Sequence, residues 1–139
     1  MHPQTYNDAL KVILDAHSSE VAARLVRFRA AAEDAGTAID GIILDVFVDQ
    51  DGEGPFDVWA RFSGPSAFKL DRQFDDDRNL FGVEWTEDGW EPNVPARPRG
   101  WTRDDLESAL FEAVSEWLSP LIPLGDPEDF WRIGTPWSE

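Results

Sequence analysis

Apolar and polar residues alternate along the first part of the chain with the period of an α-helix. In TYNDALKVILDAH the apolar positions from Tyr6 to Leu14 are three and four residues apart, with acids and one lysine between them. In SSEVAARLVRFRAAAEDAG similar spacings run from Val21 to Ala32, a serine pair can cap the start, and Gly36 suits a left-handed end. The pattern predicts two amphipathic helices, one after the other.

From residue 41 the period changes to two. GIILDVFVDQ places Ile42 and every second residue after it on one side, and PFDVWARFSG alternates in the same way. These stretches predict a hairpin that turns around Gln50 to Pro55. A third strand is predicted at AFKLDR, a fourth at NLFGVEWT, and a short edge piece at WEPNV after the turn at Asp88 and Gly89. The expected sheet is an antiparallel β-meander of four to five strands.

The opposite side of this hairpin is partly apolar. It carries three apolar and three charged residues: Ile43, Phe47, Trp59, Asp45, Asp57 and Arg61. Two alternatives stay open for this face. Either helices cover it as well, or it is an acid-rimmed patch that binds a partner protein or a second copy of the chain.

The last forty residues predict one more helix and a short helical turn. Thr102 followed by Asp105 resembles a capping box, and one apolar stripe runs from Leu106 to Trp117 before Pro120 stops the helix. In the tail GDPEDFWRIGTPW, Asp126 before a proline is typical of a helical start. The predicted fold class is α+β: a single domain over residues 1–139, with two N-terminal helices, an antiparallel sheet and a C-terminal helix packed on the sheet.

The composition is that of a folded protein without disulfides. Of the 139 residues 42% are hydrophobic and seven are tryptophan, and there is no cysteine. No apolar run reaches the roughly 18–20 residues that span a bilayer, and residues 1–16 lack the basic start and apolar centre of a signal peptide. These features predict a cytoplasmic location without membrane binding.

The formal charge of −16 lies mainly in the last two thirds of the chain. Residues 1–36 carry a net charge of −1, residues 37–101 carry −8, and residues 102–139 carry −7. Such a field repels nucleic acid and anionic lipid and accelerates encounter with basic proteins. Direct binding of nucleic acid is therefore not expected, and a basic protein is the expected partner.

The hairpin turn contains a run of acids that resembles a calcium loop. Asp49, Asp51, Glu53 and Asp57 stand at loop positions 1, 3, 5 and 9, and a glycine stands at position 6. Position 12, which normally holds a bidentate glutamate, is Ala60, and both flanks are predicted strands rather than helices. Because Asp, Gly and Pro also close ordinary turns, a hairpin loop without an ion is favoured over a calcium-binding or small-ligand site.

Few residues in the chain suit catalysis. There are two histidines, and no Gly-x-Ser-x-Gly, Ser-x-x-Lys or phosphate-binding glycine loop is present. Carboxylate pairs such as Asp104 with Asp105, or Asp76 with Asp77, leave a carboxylate-only hydrolase as an alternative. The expectation is a non-catalytic protein without a cofactor.

One block of the sequence resembles a known group of proteins. DQDGEGPFDVWA at residues 49–60, followed by LFGV at residues 80–83 and TEDG at residues 86–89, is similar to an uncharacterised family of small acidic proteins, mostly from actinobacteria. That resemblance implies no function. In size, α+β order and acidic surface the chain also resembles, by type, the immunity proteins that neutralise bacterial toxins.

The leading hypothesis is an acidic protein-binding domain that neutralises a basic protein, as an immunity protein or a nucleic-acid mimic does. Its candidate contacts are acids with two tryptophan anchors: Asp75, Asp76, Asp77, Glu87, Asp88, Glu112, Glu116, Trp59 and Trp90. A homodimer formed through the apolar sheet face is a further expectation.

Overall fold

The computed structural model describes residues 3–48, 52–123, 125 and 130–134. This part of the chain forms four α-helices and six strands. In chain order they are α1 (Pro3–Asp15), α2 (Ser18–Ala35), β1 (Gly41–Val48), β2 (Phe56–Ser63), α3 (Ala67–Gln73), β3 (Asn79–Phe81), β4 (Glu84–Thr86), β5 (Gly89–Glu91), α4 (Arg103–Leu118) and β6 (Trp131–Gly134). The α+β class expected from the sequence is confirmed.

The three helices predicted from the 3.6-residue period are present. In α2 the buried side chains are the predicted ones, from Val21 to Ala32. The predicted capping box starts α4: the Thr102 hydroxyl accepts from the backbone N–H of Asp105 at 3.1 Å, and the Asp105 carboxylate accepts from the backbone N–H of Thr102 at 2.9 Å. Two backbone donors that have no partner within the helix are satisfied in this way.

The sheet is mixed, so the predicted purely antiparallel meander is wrong. The hairpin of β1 and β2 is antiparallel as expected, with Ile42 opposite Phe62 and Val48 opposite Phe56. The sheet order is β3-β2-β1-β6, and β6 lies parallel to β1. A parallel neighbour requires a crossover, and the chain makes it through α4. Alternation along β1 defines its buried side, but it does not say which strand fills the free edge.

The predicted third strand AFKLDR is instead the helix α3. Phe68 and Leu70 alternate as in a strand, yet only Leu70 is buried and Phe68 is 73% exposed. Two apolar residues two positions apart are too short a pattern to separate the two periods. The residues Ala, Lys, Leu and Arg in this stretch favour a helix.

Two further predictions change at the C-terminal side. NLFGVEWT is not one strand, because β3 joins the main sheet while β4 pairs with β5 in a separate two-stranded sheet. The predicted edge piece WEPNV contributes its first two residues to β5. In the tail, where a helical turn was predicted, residues 131–134 form strand β6; Asp126 and the proline after it lie outside the described residues.

One hydrophobic core lies on the inner face of the main sheet. The even-numbered residues of β1 and β2 point into it, and the helices supply the rest, including Leu25 of α2, Leu70 of α3 and Leu110 of α4. The predicted packing of the C-terminal helix on the sheet is confirmed in this sense. None of the helices in the described part of the chain has the length and apolar run that a bilayer crossing needs.

Candidate functional site

Helices α1 and α4 lie side by side and enclose a groove. At one end the rings of Tyr6 and Trp101 are 5.1 Å apart, and at the other end the Trp117 indole N–H donates to the Ser18 hydroxyl at 2.9 Å. Tyr6 lies early in α1 and Trp101 just before α4, whereas Ser18 and Trp117 follow or end these helices. The two helices therefore run in the same direction. The groove between them has a volume of about 530 Å³.

The groove has an apolar floor and an acidic rim. Its floor includes Leu14, Ala113, Trp117 and Leu121. Its charged lining residues are Asp8, Lys11, Asp15, Glu112 and Glu116. Four carboxylates thus face one ammonium group, which gives the groove a net charge of −3.

Three of these carboxylates are unpaired within the described part of the chain. Asp15, Glu112 and Glu116 are exposed and make no hydrogen bond or ion pair with any residue that the structure describes. The fourth, Asp8, accepts a hydrogen bond from the side chain of Gln4 at 2.9 Å. Their charges are therefore available to a molecule that enters the groove.

Backbone dipoles add to the negative charge at one end of the groove. Glu116 lies in the last turn of α4, where the helix dipole is negative, and no base lies in that turn. Asp15 ends α1, whose last turn also lacks a base. At α1 the effect is offset because α2 begins at Ser18, and its positive end lies nearby. The same positive end also lies close to the C-terminal end of α4, because the Trp117 indole N–H donates to the Ser18 hydroxyl, so the dipole of α4 is partly offset there.

The other predicted acidic contacts lie elsewhere. Asp75, Asp76 and Asp77 follow α3; the Asp75 carboxylate lies 3.2 Å from the Arg78 guanidinium, and the Asp77 carboxylate lies 3.9 Å from that of Arg27. Part of this charge is therefore neutralised within the protein. Only Asp76 of the three is exposed without an ion pair among the described residues.

The remaining predicted contacts are also separate from the groove. Glu87 and Asp88 are exposed in the turn between β4 and β5. Trp90 is partly buried and packs against the core. Trp59 is partly buried on the outer face of the sheet. Of the predicted partner-binding residues, the structure brings only Glu112 and Glu116 into the groove.

The outer sheet face carries a second cavity, of about 370 Å³. It is lined by Asp45, Phe47, Asp57, Trp59, Ala60, Arg61 and Arg78. Phe47 is 40% exposed. The face is therefore open at Phe47 but closed at Ile43, which is 8% exposed, so each of the two sequence-based alternatives describes only part of it. Its acids are accompanied by two arginines, so the patch is not purely acidic.

The calcium hypothesis stays a prediction. Asp49 and Asp51 lie outside the described residues, and within the described ranges no three acids or histidines are grouped as a metal site. Within the described part of this stretch, the Glu53 carbonyl accepts from the backbone N–H of Arg97 at 2.8 Å. Gly54 has a φ of 151°, and a Cβ there would lie 2.9 Å from the Pro95 carbonyl oxygen. Close packing against Pro95 therefore explains why this position needs a glycine, and no bound ion is required for that explanation.

In each carboxylate pair considered for hydrolysis, one member has a structural contact. Asp105 caps α4, and Asp77 lies beside Arg27. Burial raises the pKa of the Tyr6 phenol well above its usual range and keeps the phenol protonated. The hydroxyl has no hydrogen-bond partner among the described residues. This buried phenol does not indicate a reaction, but its ionisation affects the stability of the fold.

Sequence reasoning missed the contribution of α1 to the groove. Asp8, Lys11 and Asp15 are three and four positions apart and so share a helix face, and Glu112 and Glu116 share one on α4. Each face could be predicted from the spacing. That the two faces meet depends on contacts between elements about a hundred residues apart, and no local pattern encodes this.

Comparison with known proteins identifies a family without an activity. A family model matches residues 1–137, and it describes a family of unknown function. The predicted resemblance to an uncharacterised family is thereby confirmed, while the actinobacterial origin and the likeness to immunity proteins stay predictions. No curated protein and no solved structure matches the chain.

Proposed function

This chain belongs to DUF6389, a family of unknown function, and we propose that it is a non-catalytic binding domain whose α1–α4 groove receives a basic segment of a partner protein. The observation that carries the proposal is a set of rim carboxylates, around an apolar floor, that have no partner among the residues the structure describes. An acidic surface alone would serve solubility equally well. An acidic rim around an apolar floor favours a ligand that is both basic and apolar.

The shape of the groove favours a helical segment as its occupant. Two parallel helices that leave a groove between them can accept a third amphipathic helix, whose apolar residues at every third or fourth position lie on the floor. In this arrangement Ala113 and Leu121, which line the groove and are only partly buried, contact the apolar stripe. Lysines or arginines flanking that stripe reach Asp15, Glu112 and Glu116.

The negative charge of the protein favours a basic partner in two ways, because it raises both the association rate and the affinity. The chain carries −16 overall, and complementary charge raises association rates in a salt-dependent way. A toxin neutralised by an immunity protein, or a nucleic-acid-binding protein blocked by a mimic, would both meet this requirement. We propose the cytoplasm as the location, which the sequence alone supports.

A peptide titration tests the groove directly. The probe is a synthetic helical peptide of leucine and lysine with leucines at every third or fourth position, and binding is followed by calorimetry in low and high salt. Wild type should bind, and the double variant Glu112→Gln with Glu116→Gln should bind at least about tenfold more weakly, which corresponds to about 1.4 kcal/mol. The matched control is Glu33→Gln with Asp34→Asn, which removes two charges from the exposed last turn of α2.

A cell lysate then tests the biological partner. Wild type and the control variant, immobilised at low salt, should retain the same basic protein, and the groove variant should lose it. Equal retention by all three proteins, or retention that does not fall as salt rises, would count against the groove. If the groove variant and the control lose the basic protein equally, binding depends on the total charge of the protein rather than on the groove.

A further inference from the structure

The outer face of the β1–β2 hairpin contains a preorganised arginine that the proposed protein-binding role does not use. Asp45 of β1 is 8% exposed in its side chain, and its Oδ2 accepts from Nε of Arg61 on β2 at 2.7 Å. The buried carboxylate is expensive to desolvate, and this ion pair offsets part of that cost. As a result the guanidinium is held at a defined position on the sheet.

The pairing leaves the outer edge of Arg61 available. Only Nε contacts Asp45, while the two terminal nitrogens make no hydrogen bond with any residue in the described ranges. The Arg61 side chain is 51% exposed, so this edge faces the cavity and solvent. Two parallel N–H donors of a guanidinium match the two oxygens of a carboxylate.

Two aromatic side chains line the same cavity as this donor pair. Trp59 lies directly opposite Asp45 in the hairpin register, and Phe47 lies two residues after Asp45 on the same face. The guanidinium of Arg78 lies 5.7 Å from the Trp59 ring centre. Arg78 is itself fixed, because it donates to the backbone carbonyls of Asp71 at 3.0 Å and Ala60 at 3.2 Å. The ring of Trp59 therefore rests on a rigid support.

We propose that this cavity binds a small monocarboxylate with a flat apolar body. Its carboxylate pairs with the terminal nitrogens of Arg61, and its body lies between Phe47 and Trp59. The volume of about 370 Å³ is within the range of small-molecule sites, roughly 300–1,000 Å³. The site is separate from the α1–α4 groove and does not depend on the function proposed for it.

The charged residues of the cavity favour a ligand with a single negative charge. The lining contains two acids, Asp45 and Asp57, and two arginines, Arg61 and Arg78. Because Arg78 also pairs with Asp75 outside the cavity at 3.2 Å, the lining has no surplus positive charge for a second negative charge. A dianion such as a phosphate monoester would face two carboxylates with one available donor edge, in a protein of net charge −16. A cation would compete with Arg61 for Asp45. A monoanion uses the donor pair without either conflict.

The test compares two probes that differ only in charge. The first is 1-naphthoate and the second is neutral 1-naphthamide, each titrated into the full chain. Binding is followed by calorimetry and by the NMR signal of the Trp59 indole N–H, which is assigned by its loss in Trp59→Phe. Naphthoate should shift this signal and bind at least about tenfold more tightly than naphthamide.

Variants test whether Arg61 is the residue that binds the carboxylate of the probe. Arg61→Lys keeps the positive charge but removes the paired donors, and it should weaken naphthoate binding at least about tenfold while naphthamide binding changes little. Arg99→Lys, on an exposed connection, is the matched control and should change neither. Thermal unfolding of each variant shows that it is folded. The groove variant Glu112→Gln with Glu116→Gln should bind naphthoate like wild type.

Three results would overturn the proposal: equal affinity for the two probes, unchanged naphthoate binding in Arg61→Lys, or binding that leaves the Trp59 signal in place. A concentration-dependent dimer in sedimentation that naphthoate does not disturb, and that Arg61→Lys dissociates, would also overturn it. That outcome would assign the face to a second copy of the chain.

Discussion

Removal of the Glu116 charge should stabilise the free protein while it weakens partner binding. Glu116 is exposed in the last turn of α4, where the negative end of the helix dipole disfavours an acid. Glu112 lies one turn earlier on the same face. The fold gains nothing from a carboxylate at this position, whereas a cationic partner would. Glu116→Gln therefore separates the effect of this charge on stability from its effect on binding.

The size of the effect follows from two contributions. Relief of the like-charge pair with Glu112 is worth about 0.2–0.5 kcal/mol, and relief at the helix end about 0.3–1 kcal/mol. Glutamine and glutamate have similar helix propensities, so the backbone contributes little. The sum is about 0.5–1.5 kcal/mol. An unfolding entropy of about 2.1 cal/mol/K per residue converts this, for 139 residues, to a rise of about 2–5 °C in Tm.

The assay is thermal unfolding by circular dichroism at low and high salt. Glu116→Gln should raise Tm at low ionic strength, and the gain should shrink in about 1 M salt because exposed charges are then screened. The control is Glu107→Gln, which removes the same charge from α4. Glu107 accepts from the Arg103 guanidinium at 2.8 Å, so its loss should lower Tm.

Two results would refute this reasoning. If both variants raise Tm equally, the gain comes from total charge and says nothing about the groove. If Glu116→Gln lowers Tm, then Glu116 has a stabilising partner within the chain and is not free for a ligand. In the second case the groove would also lose its strongest candidate for partner contact.

Four further predictions concern stability and metal binding. Thr102→Ala removes the capping box of α4 and should cost about 1 kcal/mol in denaturant unfolding, whereas Thr102→Ser should cost much less. Gly64→Ala should cost about 1–3 kcal/mol, because φ is 125° and the new Cβ would lie 2.6 Å from the Ala38 carbonyl oxygen. Since burial raises the pKa of Tyr6, folded stability should fall by up to about 1.4 kcal/mol per pH unit once pH rises above the ordinary value of 10.0, and in Tyr6→Phe this dependence should disappear from an alkaline unfolding series. Calcium at millimolar concentration should leave Tm unchanged if residues 49–57 are only a turn, and a rise that Glu53→Gln reduces would instead establish a metal site.

Local patterns were sufficient to predict which residues of a single helix or strand are buried. The period of α2 predicts its buried residues, and alternation in β1 and β2 predicts which side faces the core. The same alternation places Asp45 and Arg61 together on the outer face, so part of the second cavity was readable from the sequence. The mistake at α3 arose in a stretch too short for the two periods to differ. At β3 and β4 the strand character was predicted, but alternation does not show where one strand ends or which strand it pairs with.

By itself the sequence determined the α+β class, three helices, one hairpin and an acidic charge of −16. Only the tertiary structure decided that β6 lies parallel to β1, that α1 and α4 run side by side, and that their acidic faces line one groove. The physical reason is that periodicity reports how each element divides its residues between core and solvent. Which elements then become neighbours depends on packing between distant segments, and the groove exists only in that packing.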